Sequence, residues 1–411
     1  MQINAWFVFI VLALVLLWKL DLFSTLWNLK SLKPEIPDEF RGFVDEEAYE
    51  NSQAYTRANA VLGIGEATFS LVVLFTFWWL GGFGWLDGEV RALGQGPIVS
   101  GILFIGALLV AQQILAIPFD LYSTFVLEEE FGFNRTSFGT WCVDRIKGVV
   151  LGVLLGVPLL AALIWIFETV PMAWLWGWLL VTLFSLTLTY IAPIWILPLF
   201  NKFEPLEDGE LKNEIHAMAE DCDFPLKEVT VMDGSKRSSK SNAFFTGLGK
   251  NKRIALFDTL IENHTVPELV TVLAHEIGHF KKRHIVKNLV IGILTTGVLF
   301  FLLGMMMENR SLHNAFGVET TSVYVSLVLF GIVMSPVNQL LAIGTNWLSR
   351  KHEFEADAYA AEVTDKPKAL ADALRKLSKD NLSNLTPHPF YVFLNYSHPP
   401  VAERVRALGV E

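Results

Sequence analysis

Thr265-Val-Pro-Glu-Leu-Val-Thr-Val-Leu-Ala-His-Glu-Ile-Gly-His279 contains its own helix start signal. Thr265 with Glu268 forms a capping box and Pro267 falls in the first turn, so a helix is expected to begin here for local reasons. On such a helix His275 and His279 stand one turn apart and point the same way. The pattern is H-E-x-x-H: two imidazole nitrogens suited to zinc, with Glu276 beside them to take a proton from a water that the metal would acidify.

A catalytic zinc takes three protein ligands and leaves a fourth place open. The best source of the third is Trp347-Leu-Ser-Arg-Lys-His-Glu-Phe-Glu-Ala-Asp-Ala-Tyr359, also expected to be helical. Glu353 and Asp357 share one face, near the small residues Ala360 and Ala361, which would let this helix press closely on another. Glu353 is assigned as third ligand. Asp357 is assigned as the carboxylate behind the site that accepts a ligand histidine's other N–H. Glu355 is expected to point away.

Around these two segments the chain is strongly apolar. Of 411 residues, 52% are hydrophobic and 18% charged, with a net charge of −10, where a soluble domain carries about 25% charged residues. The mean hydropathy is +0.42 and the pI about 5.5. An acidic, charge-poor chain lacks the dense basic face that nucleic acid requires, and two cysteines outside any C-x-x-C pair build no disulfide framework. Apolar runs long enough to cross a bilayer predict seven spans: Ala5–Trp18, Thr68–Leu86, Ile98–Pro118, Gly148–Phe167, Met172–Leu197, Val286–Met307 and Ser322–Ile343. The first lacks a basic leader and a cleavage site and reads as a retained helix. Glu66, Gln112, Gln113, Asn338 and Gln339 interrupt the spans, either to bond neighbouring helices or to line a water-filled cavity.

With seven spans, the loops on one side hold Arg91 and Arg310, while nearly all other basic residues, including Arg135, Arg145 and Lys147, fall on the other side with the C-terminus. By the positive-inside rule the C-terminus is cytoplasmic. The expected fold class is predominantly α: a polytopic membrane protein of about seven transmembrane helices plus a zinc protease lobe with a small β-hairpin or sheet. The expected organisation is residues 1–200, membrane helices 1–5; 201–285, the first half of the lobe with the motif helix; 286–343, helices 6–7; and 344–411, the second half with the third ligand. Leu206–Asp221 reads as an amphipathic helix, and Glu228–Met232, Ser241–Thr246 and Ile254–Asp258 as strands, the last two joined by the turn-rich Gly247–Arg253. The motif helix, continued into the sixth span, would place the zinc near the membrane face.

His275-Glu-Ile-Gly-His279 followed by Glu353-Phe-Glu-Ala-Asp357 resembles the gluzincin pattern of the type I CAAX prenyl proteases, the a-factor converting enzymes. Thr124–Asn134, Ser241-Asn-Ala-Phe-Phe245 and Tyr396-Ser-His-Pro-Pro-Val-Ala-Glu-Arg404 also resemble that family. The resemblance implies one zinc per chain on His275, His279 and Glu353, with Glu276 as base. It implies that His398 stabilises the oxyanion or donates a proton, and that Arg404 supports the site or contacts a substrate terminus. Asn242, with Ala243 and Phe244, would lie on the strand that pairs with substrate. The expected partners are a peptide or protein substrate, prenylated by the same resemblance, and membrane lipids, the chain acting as a monomer. The expected location is a bacterial inner membrane or the endoplasmic reticulum membrane. Two rival functions are a membrane quality-control protease of the HtpX-like type and, more distantly, a channel or transporter with structural zinc.

Overall fold

The computed structural model describes residues 1–246 and 252–410. Among them, six helices are long and apolar enough to cross a bilayer: Ala5–Lys30, Glu46–Trp79, Pro97–Glu130, Phe138–Thr169, Ala173–Phe200 and His284–Met306. A further apolar segment is a broken pair, Val323–Val333 and Ser335–Thr364, bent by 52°. Pro336 follows the bend and has no N–H for the Ile332 carbonyl four residues back. The Ser335 hydroxyl takes that carbonyl instead, at 2.8 Å. The straight span expected over Ser322–Ile343 is thus corrected to a kinked one whose second half runs on through Glu353 and Asp357.

Two other expected boundaries are corrected. The span expected over Thr68–Leu86 crosses a break, because the helix ends at Trp79 and Gly81, at φ 78°, turns the chain into a separate helix, Gly82–Ala92. The motif helix, Val266–Lys281, does not continue into the sixth span; Arg283 at φ 58° separates the two, and the span starts at His284.

The first span packs on the second, the third on the fourth, the fourth on the fifth and the fifth on the sixth, and Ser335–Thr364 returns to the first. One end of this ring is filled by Gly82–Ala92, Arg310–Ala315 and Val323–Val333, around Trp78, Phe83, Phe104, Phe316 and Tyr324. The N-terminus lies here, with Gln2 N–H on the Asn314 carbonyl at 2.8 Å. At the other end of the first span Asn28 accepts from His388 N–H at 3.0 Å, so the polar lobe and the Arg91 and Arg310 loops lie at opposite ends of the bundle. Along the spans, no more than 17% of the most apolar window is buried. Glu66, Gln112 and Gln113 are exposed. Gln339 borders a cavity of about 360 Å³ with Trp18, Asp21, Ala67 and Ser70.

In the lobe, a four-stranded sheet has the order β1-β2-β4-β3, where β1 is Phe203–Pro205, β2 Leu226–Met232, β3 Ala243–Thr246 and β4 Lys252–Phe257. The expected hairpin is β3–β4, antiparallel, with Phe244 opposite Ala255; the turn expected over Gly247–Arg253 falls largely on residues 247–251, outside the described residues. β2 runs parallel to β4, and the short β1, which periodicity does not reveal, pairs antiparallel with β2. The amphipathic helix covers Glu210–Asp221, shorter than expected because Leu206 N–H still bonds the sheet at the Val229 carbonyl, 2.9 Å.

The motif helix packs along the helix Ser335–Thr364, hereafter the carboxylate helix. A Cβ on Gly278 would lie 3.1 Å from both Cα and carbonyl oxygen of Ala356 and 3.2 Å from the Tyr359 ring. Glycine at 278 and alanine at 356 therefore limit how closely the helices approach, and Ala360 is fully buried in the same core. The helix start is also tied down: Thr265 and Glu268 make both bonds of the capping box, and Lys376 reaches the Glu268 carboxylate at 2.7 Å.

Two outcomes are expected. Gly278→Val, which must push the helices apart, should lower the thermal midpoint in detergent clearly, while Gly278→Ala, needing a shift of tenths of an ångström, should lower it less. Burial alone would raise the Glu268 carboxyl, but bonds from Lys376 and the Thr265 N–H outweigh it and hold it below the ordinary range. A depressed carboxyl stabilises the fold above its unfolded pKa of about 4.3, and that contribution disappears as pH falls through the folded value. Glu268→Gln should therefore cost about 1–2 kcal/mol at pH 7, and thermal melts in detergent should show the deficit narrowing below pH 4.

Candidate metal centre

His275, Glu276 and His279 are placed by the motif helix, and Glu353 by the facing carboxylate helix. One nitrogen from each histidine and one Glu353 oxygen lie within 4.8 Å of one another. The Nε2 atoms are 3.1 Å apart, His275 Nε2 is 3.4 Å from Glu353 Oε2, and His279 Nε2 is 3.3 Å from Glu353 Oε1. A tetrahedral zinc with bonds near 2.05 Å has donor-to-donor edges of roughly 3.3 Å, so the three residues fit such an ion. The charge balance fits as well, since Glu276, Glu353 and Asp357 surround a single guanidinium, that of Arg404. Burial would push His275 down, yet bonds to Asp357 and Glu353 raise it to about 9; the pocket favours a cation at these nitrogens.

A cavity of about 180 Å³ opens beside these donors, bordered by the polar His275, Glu276, Glu353, His398, Arg404 and Asn242, by Ala243, and by the apolar Leu260, Val272, Leu370, Leu374 and Leu377. Burial raises the Glu276 carboxyl above its usual range, with His275 and His279 pulling the other way. Such a carboxylate is well suited to accept a proton. His398 is 67% exposed with Nε2 3.5 Å from Glu353 Oε1, and its Nδ1 lies 3.0 Å from the Ser397 hydroxyl. It therefore reaches the cavity rather than capping the last helix.

β3 is the terminal strand of the sheet, so among the described residues one of its edges has no strand partner. Asn242 lies just before the strand rather than within it; its carbonyl accepts from Phe257 N–H at 3.1 Å, and its side chain accepts from Ala243 N–H at 2.8 Å. Phe244 turns to Phe257, edge to face at 6.3 Å, and does not border the cavity. Asn381 clasps the backbone of Ser241, accepting from its N–H at 3.1 Å and donating to its carbonyl at 3.3 Å. Upstream, Lys240 binds Glu128 at 2.9 Å, and Asn134 bridges Ser238, so Thr124–Asn134 anchors the approach to β3.

Behind the donors, Asp357 Oδ1 accepts from His275 Nδ1 at 2.8 Å. Arg404 holds that carboxylate with two bonds, Nε to Oδ2 at 2.7 Å and Nη2 to Oδ1 at 2.6 Å, and lies 3.4 Å from Glu353. It thus braces the donors from behind, and it also borders the cavity. Glu355 does not point away as expected: its Oε2 meets His284 Nε2 at 3.0 Å, and His284 Nδ1 meets His279 Nδ1 at 3.0 Å. His284 and the leucine wall escape sequence reasoning. A third histidine five residues after His279 is the one signal that could have pointed to His284.

The family model described as CAAX prenyl protease N-terminal, five membrane helices, matches residues 25–202, and that of peptidase family M48 matches residues 205–410. The chain is 35% identical over 408 residues to the CAAX prenyl protease 1 homolog of Arabidopsis thaliana, covering 97% of this chain and 96% of the relative. It is 36% identical to CAAX prenyl protease 1 of Saccharomyces cerevisiae, covering 92% and 88%, and 33% identical to the CAAX prenyl protease 1 homolog of Homo sapiens, covering 96% and 93%. The crystal structure of S. mikatae Ste24p superposes with a TM-score of 0.94 at 33% identity, covering all of both chains. The chain thus has full-length counterparts in sequence and in structure, and it belongs to peptidase family M48, as an integral membrane metallopeptidase built like the CAAX prenyl proteases.

Proposed function

We propose that His275, His279 and Glu353 hold one zinc per chain, that Glu276 is the general base, and that the substrate is a peptide ending in a prenylated C-a-a-X sequence. The observation that carries this reading is a cluster of three donors, two of which, His275 and Glu353, stand with Glu276 on the wall of one cavity that also touches the approach to a sheet edge. When bound, zinc supplies a Lewis acid that acidifies water and polarises the scissile carbonyl. The chain's own residues do the rest. An extended peptide adds to β3 as a further strand, with Asn242 and Ala243 at the point of attachment and Phe244 supporting the strand from behind. Glu276 takes the proton of the attacking water and passes it to the leaving amine. His398, exposed and near Glu353, donates to the oxygen on which negative charge develops. Asp357, held by Arg404, fixes the tautomer of His275.

Leu260, Val272, Leu370, Leu374 and Leu377 in the cavity lining suit the aliphatic residues that follow the cysteine in a C-a-a-X sequence. The relatives named as CAAX prenyl proteases favour the same substrate. A membrane quality-control protease would share the chemistry without a preference for the lipid. A channel with structural zinc fits less well, because the donor cluster among the described residues has three members where a closed structural site has four. We further propose that residues 201–285 and 344–411 together form the protease lobe, carried on membrane helices from residues 1–200 and 286–343. In this reading the chain is monomeric, the N-terminus lies outside or in the lumen, and the C-terminus and the site face the cytoplasm.

Removing zinc with a chelator should abolish cleavage, and added zinc should restore it. Glu276→Ala should lose 10²–10⁴-fold in kcat while keeping its zinc; unchanged turnover would remove Glu276 as base. A farnesylated C-a-a-X reporter should be cut at least tenfold faster than its unmodified counterpart, and equal rates would turn the reading toward quality control.

A further inference from the structure

The two histidines of the donor cluster are braced differently. His275 gives its Nδ1–H to a carboxylate, Asp357, whereas Nδ1 of His279 meets another imidazole, that of His284, which in turn meets Glu355. We propose that His284 is a positioning residue: it fixes the tautomer and ring plane of His279, and Glu355 fixes His284. The inference rests on the reading of His279 as a metal ligand.

Proton placement carries the argument. His279 Nε2 lies 3.1 Å from His275 Nε2 and 3.3 Å from Glu353 Oε1, so toward a metal it must present a lone pair. A neutral ring then carries its hydrogen on Nδ1 and donates it to His284 Nδ1, 3.0 Å away. That nitrogen must be bare, which places the hydrogen of His284 on Nε2, facing Glu355 Oε2 at 3.0 Å. With His279 Nε2 bare and both rings neutral, no other arrangement satisfies both contacts. The His284 side chain is 2% exposed, and its ring lies on that of His352 at 3.9 Å between centroids and 12° between planes, so it has little freedom to turn.

The common partner for a ligand histidine is a carboxylate, a backbone carbonyl or a water. Here a second imidazole extends the reach to a carboxylate two residues beyond Glu353. His284 is also the first residue of the sixth span, turned back toward the site by Arg283 at φ 58°. The orientation of a metal ligand is thereby tied to a membrane helix.

The test uses the full chain in detergent, with zinc alone as probe, its affinity read by competition with a chromophoric chelator. His284→Phe keeps a flat ring against His352 but offers no acceptor; His284→Asn puts an amide oxygen about where Nδ1 lies and gives up the ring. His284→Phe should lose 10–100-fold in zinc affinity, His284→Asn should stay within severalfold of wild type, and Glu355→Ala should fall between. A role in packing alone predicts the reverse order. Wild-type affinity in His284→Phe, or equal losses in both His284 variants, would overturn the proposal. His279→Ala separates the two levels: if it keeps wild-type affinity the ligand reading itself fails, whereas if it loses zinc while His284→Phe does not, only the positioning role fails.

Discussion

The close crossing of the motif helix and the carboxylate helix at Gly278 and Ala356 is the constraint on which the site depends. Two histidines come from one helix and two carboxylates from the other, and neither helix alone can surround an ion. Donor-to-donor distances of 3.1 to 3.4 Å need backbones close enough that a side chain at 278 would meet the Ala356 backbone. Buried carboxylates at this crossing would repel each other strongly in the absence of compensation. Arg404 supplies part of it from the last helix, through Asp357, and a divalent cation at the donor cluster supplies the rest.

The excess of apolar residues acquires a more specific meaning once the lobe is placed. A simple anchor needs one span, but here the spans form a ring filled at one end by aromatic packing and covered at the other by the lobe. Gln339 borders a cavity, and Glu66, Gln112 and Gln113 find no cover within the bundle. Polar groups at that depth are costly against lipid and tolerable against water. A donor cluster whose His279 touches the first residue of a span is well placed to receive a substrate that is itself partly apolar.

Much of this was legible in the residues. The capping box announces the start of the motif helix because its bonds are local, and the one-turn spacings of His275 with His279 and Glu353 with Asp357 follow from helix geometry alone. Span existence follows from length, but span ends do not: the Gly81 turn, the bend before Pro336 and the break at Arg283 interrupt apolar or basic runs whose composition hardly changes. β1, three residues long, has too little pattern to read. Glu355 was misplaced because a helical wheel carries no knowledge of His284, which comes from another helix after a left-handed residue. Arg404 could be named from resemblance, but its two bonds to Asp357 could not be, because they join the last helix to another element.

The central claim is that two helices meeting at Gly278 and Ala356 bring His275, His279 and Glu353 around one ion. Anomalous scattering at the zinc absorption edge, from crystals of the zinc-loaded protein, tests it most directly. The account predicts a single peak about 2 Å from His275 Nε2, His279 Nε2 and a Glu353 carboxylate oxygen. A peak elsewhere, or one bound by four protein donors, would contradict it.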